Sequence, residues 1–209
     1  MPPLPPDIAA AEDAAGPISV SDQLPIRFIS LCTKGYGRGS RDLGIPTANV
    51  SKDDADCTMS VDSVDSLPTG IYFGYARIGD YSGDYSESSI TTEGSLGKTF
   101  VAAVSIGYNP TYGNDEKTIE PHLIAPMDHP KRHSSLCNET LLQDFYGETI
   151  RLSVIGYLRP ELPFEGLEKL TQAIKKDIAD AERLGGTDDA SANREKAWVQ
   201  GKDMNVQTS

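Results

Sequence analysis

The chain has 209 residues, with 19 Lys and Arg against 31 Asp and Glu, for a formal net charge of -12. An acidic surface of that size excludes a general nucleic-acid binder, although backbone amides and a few arginines can still build a local anion site. At 38% hydrophobic and 24% charged, the composition fits one globular domain with flanking segments, and no apolar run is long enough for a membrane-spanning helix.

Residues 1–24 are rich in Pro, Ala and acidic residues and are expected to form a flexible arm. The domain proper is expected over 25–184. Its signal is largely β: "IRFISLCT" (26–33) alternates apolar and polar, "TGIYFGYARIG" (69–79) follows a turn, and "KTFVAAVSIGY" (98–108) is nearly continuous apolar. "TIEPHLIA" (118–125) is short and broken by Pro121, and "TIRLSVIGYL" (149–158) alternates again. Such strands, separated by turn residues, predict a small antiparallel barrel or sandwich. One helix is expected from near Phe164 to Gly185, because Leu167, Leu170, Ile174, Ile178 and Ala181 recur every three or four residues. The Ser/Gly/acid-rich 80–97 and the stretch 126–143 read as long connections, and 185–209 as a tail, in which Trp198 can dock on the domain.

Cys32, Cys57 and Cys137 are widely spaced and form no C-x-x-C pair, which points to a reducing compartment and no metal cluster. The first residues show no basic-then-apolar order and no Lys or Arg before Arg27. They match neither a signal peptide nor a mitochondrial presequence, so a cytoplasmic protein is expected, with organellar association left open. "GSLGKT" (94–99) is not a phosphate-binding P-loop: the pattern needs glycine where Thr92 stands, and a strand rather than a helix follows. His122, His129 and His133 show no zinc-ligand spacing.

Chemistry concentrates in "GYGRGSRDLGIPTANVS" (35–51). Gly35, Gly37 and Gly39 let the chain turn sharply and let a bulky anion approach backbone amides, while Arg38 and Arg41 can offset phosphate charge. Pro46 forces Ile45 to be extended. In an extended run Thr47 and Asn49 share a side, and a hydroxyl beside an amide oxygen suits Mg²⁺ that also holds phosphate oxygens and water. The alternative is a glycine hairpin with solvated arginines. Further along, Thr118, Glu120 and His122 share one face of an extended segment. Glu120 is either a solvated strand residue or a carboxylate that accepts a proton from an attacking hydroxyl.

Taken in order, "GYGRGSRDLGIPTANVS", "GIYFGYARIG", "SIGYNPTYGNDEKTIEPHLI" and "DFYGETIRLSVIGYLRPEL" resemble riboflavin kinases of the eukaryotic, monofunctional type over about residues 24–184. The resemblance implies a mainly β fold, a six-stranded antiparallel Greek-key barrel with a C-terminal helix packed on it. It implies transfer of the γ-phosphate of ATP to the 5′-hydroxyl of riboflavin, giving FMN and ADP, by a Mg²⁺-dependent monomer, with Zn²⁺ or Mn²⁺ not excluded. By the same resemblance, Gly35, Gly37 and Gly39 wrap the ATP phosphates and Arg41 lies near the nucleotide. Thr47 and Asn49 hold the metal, Glu120 is the catalytic base, Leu123 lies near adenine, and Arg159 and Leu162 approach the flavin. Phe145, Tyr146 and Phe164 are either flavin-pocket walls or ordinary core aromatics. No His-x-Gly-His motif of an adenylyltransferase is present, so FAD synthesis is not expected. Two rival readings are a flavin-binding protein without catalysis and a kinase of another polyol-bearing small molecule.

Overall fold

Alternation along Ile26–Thr33 (β1) buries Ile26, Phe28, Ser30 and Cys32 and leaves the residues between them half-buried or exposed, as a strand with one face on a core requires. The computed structural model describes residues 20–35, 45, 47–53, 57–79, 97–108, 116–125 and 145–202. Within them, β1 is followed by the two-residue strands Asn49–Val50 (β2) and Thr58–Met59 (β3). Four long strands come next: Gly70–Ile78 (β4), Phe100–Tyr108 (β5), Lys117–Leu123 (β6) and Thr149–Arg159 (β7).

All pairings are antiparallel, and the strand order is β2-β1-β7-β4-β5-β6, with β3 attached to β1 at the side. β4, β5 and β6 follow one another, and β7 returns to lie beside β4, which is the Greek-key connection. The two ends of this sheet approach each other: the Ala48 amide, at the entry to β2, donates to the Pro121 carbonyl of β6 at 2.9 Å. The barrel of six strands is thus nearly closed. Pro121 does not break β6 as its sequence suggests. A residue's N–H and C=O point the same way in a strand, so the donor that Pro121 lacks is missing on the β2 side. The ladder with β5, where Pro121 pairs with Val104, is kept.

Inside the barrel sit Phe28, Tyr72, Ile78, Val104, Ile106, Ile119, Leu152 and Val154, all fully buried. The helix Leu167–Gly185 (α2) starts three residues later than its periodicity suggests, after Gly166 at φ +93. It lies outside the barrel, where Ile174, Ile178 and Ala181 pack on Phe73, Val101, Ala103 and Leu158.

The segment after Gly185 is not a loose tail. Residues Ala190–Val199 form a further helix (α3) capped by the Asp189 carboxylate on the Ala192 amide. Trp198 docks as expected, between the guanidinium groups of Arg27 (5.1 Å) and Arg151 (4.6 Å). At the other end of the chain, Val20–Gln23 form a helical turn (α1) and Leu24 packs on the core. Residues 1–19 and the connections 80–96 and 126–144 lie outside the described residues, and no described helix is long and apolar enough to cross a membrane.

Candidate active site

β6 sends Ile119 into the core and turns Thr118 and Glu120 toward the outer face of the barrel. There the Thr118 hydroxyl donates to Oε1 of Glu120 at 2.9 Å, and the Thr47 hydroxyl lies 3.4 Å from Oε2. Thr47 arrives because the Ala48–Pro121 hydrogen bond zips the entry of β2 onto β6. Both oxygens of the acid therefore face hydroxyls, and the carboxylate is oriented before any ligand binds.

Two residues after Thr47, Asn49 opens β2, and its carboxamide lies against Gly35 so closely that a Cβ there would collide with it. Gly35 leaves the space that the Asn49 carboxamide occupies, a reason for glycine distinct from a tight turn or the approach of an anion. Thr47 and Asn49 together offer a hydroxyl and an amide oxygen. Among the described residues no group of three or more His, Cys, Asp or Glu side chains could hold a metal alone. The donor set fits a hard divalent cation that takes most of its ligands from phosphate and water, as Mg²⁺ does.

On the other side of Thr118, across the β5–β6 ladder, is Gly107. Its α-carbon faces the carboxylate of Glu161, which a Cβ would strike. Burial pushes the Glu161 carboxyl up; Arg159 pulls it down, Glu120 raises it further and Lys117 lowers it. On the inner side of β6, the Lys117 ammonium donates to the carbonyls of Asp65 (2.7 Å) and Leu67 (2.5 Å).

Residues 23–184 match the family model described as flavokinase, riboflavin kinase. The chain belongs to the riboflavin kinase family. Three curated riboflavin kinases illustrate the relationship. That of Aspergillus fumigatus is 34% identical over 175 residues, 79% of each chain. That of Mus musculus is 38% identical over 164 residues, 77% of this chain and 81% of its own. That of Homo sapiens is 38% identical over 154 residues, 72% and 74% respectively. As a riboflavin kinase by family, the chain is an enzyme of the phosphotransferase class.

Seen in a riboflavin kinase, the residues singled out in the sequence fall at several places. Thr47, Asn49, Glu120 and Gly35 come together on the outer face around the β2–β6 seam. Leu123 lies at the end of β6, partly buried and packed against the barrel core. Arg159 and Leu162 lie at the end of β7 and just beyond it. Leu162 is exposed. Arg159 is engaged by α2, its Nε and Nη2 donating to Asp177 at 2.8 and 2.6 Å, and it stands 5.5 Å from the Phe164 ring centroid. Phe145 packs on the core and Tyr146 is exposed. Gly37, Gly39, Arg38 and Arg41 lie outside the described residues.

Three residues carry no role in the sequence reading and gain one from the structure: Thr118, Gly107 and Glu161. A hydroxyl two residues before Glu120 on the same strand was the available signal for Thr118. Nothing local marks the other two, since their meeting depends on β7 and β5 being brought to one end of the barrel.

Proposed function

We propose that this chain transfers the γ-phosphate of ATP to the 5′-hydroxyl of riboflavin, giving FMN and ADP. The observation that carries the reading is the Glu120 carboxylate, oriented by Thr118 at 2.9 Å and lying 3.4 Å from Thr47 on the outer face of the barrel. Glu120 takes the proton of the 5′-hydroxyl, the riboflavin 5′-oxygen bonds to the γ-phosphorus, and the bond from that phosphorus to the ADP oxygen breaks. Phosphoryl transfer asks a protein mainly for positioning and charge neutralisation, and the site supplies both. Thr47 and Asn49 would hold Mg²⁺, which neutralises phosphate charge when bound. Gly35, Gly37, Gly39 and Arg41 lie toward the ATP phosphates in this reading, Leu123 toward adenine, and Arg159 and Leu162 toward the flavin. Arg159, being held by Asp177, acts there by fixing the chain that leads to Leu162. The sparse, widely spaced cysteines fit a reducing compartment, and we take the protein to act as a cytoplasmic monomer.

The test is incubation with riboflavin, ATP and Mg²⁺ followed by chromatography. Formation of FMN and ADP in equal amounts supports the reading. Riboflavin binding without FMN would replace it with a flavin-binding protein, and phosphorylation of other polyol compounds in preference would replace the substrate.

A further inference from the structure

Glu161 stands in the segment between β7 and α2, and its place is set from several sides. Arg159, two residues earlier, is gripped by Asp177 of α2 through two hydrogen bonds of 2.8 and 2.6 Å and donates to the Pro160 carbonyl at 3.0 Å. The Glu161 carboxylate lies over Gly107, in space that any other residue's Cβ would fill. Across the ladder from Gly107 is Thr118, whose hydroxyl holds Glu120. The two acids therefore share one outer face, separated by a single step of the β5–β6 ladder.

Among the described residues the Glu161 carboxylate makes no hydrogen bond or ion pair. The two cations that bear on it are committed elsewhere, Arg159 to Asp177 and Lys117 to the carbonyls of Asp65 and Leu67. Glu161 is exposed, so its carboxylate is open to a ligand arriving from solvent. A ligand that engages it must donate hydrogen bonds, because an ionised carboxylate only accepts them. The ligand is not an anion, because two neighbouring acids repel phosphate. The nucleotide phosphates belong on the Thr47–Asn49 side, and a neutral hydroxyl-bearing group belongs on the Glu161 side.

We propose that Glu161 binds the polyol chain of the acceptor substrate, accepting hydrogen bonds from its secondary hydroxyls, and that Gly107 lacks a side chain in order to seat this carboxylate. The inference rests on the kinase reading above and adds a residue that fixes the acceptor in front of Glu120. It explains how the site separates a neutral acceptor from a charged donor: one acid takes the reacting proton, the other holds the chain that carries it.

The experiment measures riboflavin binding by flavin fluorescence, without ATP, for the unchanged protein, Glu161→Ala and Gly107→Ala, each checked for a native thermal transition. Hydrogen bonds to a charged group make binding weaker by about tenfold or more when lost. Glu161→Ala is expected to weaken riboflavin binding by that factor while leaving lumiflavin, which has the ring but no polyol chain, bound as before. Gly107→Ala pushes the carboxylate aside and is expected to do the same, with no additional loss in the double variant. In turnover assays the KM for riboflavin rises and the KM for ATP stays within about twofold. Unchanged riboflavin affinity in Glu161→Ala, or equal losses for riboflavin and lumiflavin, would overturn the proposal. An unchanged protein that binds riboflavin but makes no FMN would instead defeat the kinase reading and leave the binding comparison readable.

Discussion

Thr118 donates its hydroxyl to Glu120 at 2.9 Å, along one face of a single strand. The pair is made by local geometry, because residues two apart on a strand point the same way. The hydrogen bond fixes the rotamer of the acid. Its value in such pairs is about 1.5–3 kcal/mol. Thr118→Val, which keeps the shape and removes the donor, should lower kcat roughly tenfold to a hundredfold with KM for both substrates little changed. Thr118→Ser should retain most of the activity. Steady-state kinetics on the three proteins decides the matter; equal kcat for Val and Thr would mean that Thr118 is only structural.

Gly35 and Asn49 form a second coupled pair, since a Cβ on the glycine would occupy the place of the carboxamide. Gly35→Ala and Asn49→Ala should therefore show the same defect, a higher Mg²⁺ concentration for half-maximal rate. A magnesium titration of the rate measures it. A Gly35→Ala protein with an unaltered titration would show that Asn49 can move aside without harm.

A third expectation concerns α3. Glu195 is buried, accepts from Arg27 Nε (2.9 Å) and Nη2 (2.7 Å) and from the Ser153 hydroxyl (2.8 Å). Burial pushes its carboxyl up, but the hydrogen bonds from Arg27 and Ser153 and the charge of Arg27 outweigh this and hold it below the ordinary 4.5. A carboxylate with a lowered folded-state value contributes stability that is fully present above about pH 4.5 and is lost as pH falls through the folded value. Glu195→Gln should cost about 2 kcal/mol at pH 7, toward the low side for a broken buried pair because Arg27 is partly exposed. It should also flatten the loss of stability below that pH. Urea unfolding at pH 7 and pH 4 tests both halves.

The fork between Arg159 and Asp177 ties the end of β7 to α2. Asp177→Asn leaves the guanidinium half-paired and should destabilise the fold by about 2–3 kcal/mol. Arg159→Lys should fall between that variant and the unchanged protein, because an ammonium cannot form the two parallel bonds. Denaturant midpoints rank the three. An Asp177→Asn protein as stable as the unchanged one would show that α2 is held by its apolar stripe alone.

The long strands and α2 were legible because each shows its face in the spacing of apolar residues: β1 alternates, and Ile174, Ile178 and Ala181 repeat at helical distance. α3 was not, because between Ala192 and Val199 it turns Glu195 inward, and Glu195 reads as surface until Arg27, 168 positions earlier, is known to meet it. Pro121 misled in the other direction: its missing donor matters only on the side where β2 lies, which no local pattern reveals. In the site, Thr47, Asn49 and Glu120 stood out by residue type and resemblance. Glu161 and Gly107 did not, since an acid after Arg-Pro and a glycine in an apolar run acquire meaning only when the barrel brings them together.

The most direct measurement is the rate of FMN formation from riboflavin, ATP and Mg²⁺ by the unchanged protein and by Glu120→Gln. A positioned general base contributes about 10²–10⁴-fold, so the account predicts FMN from the first and a rate lower by two to four orders of magnitude from the second, with riboflavin still bound. No FMN from the unchanged protein, or an undiminished rate in Glu120→Gln, would contradict it.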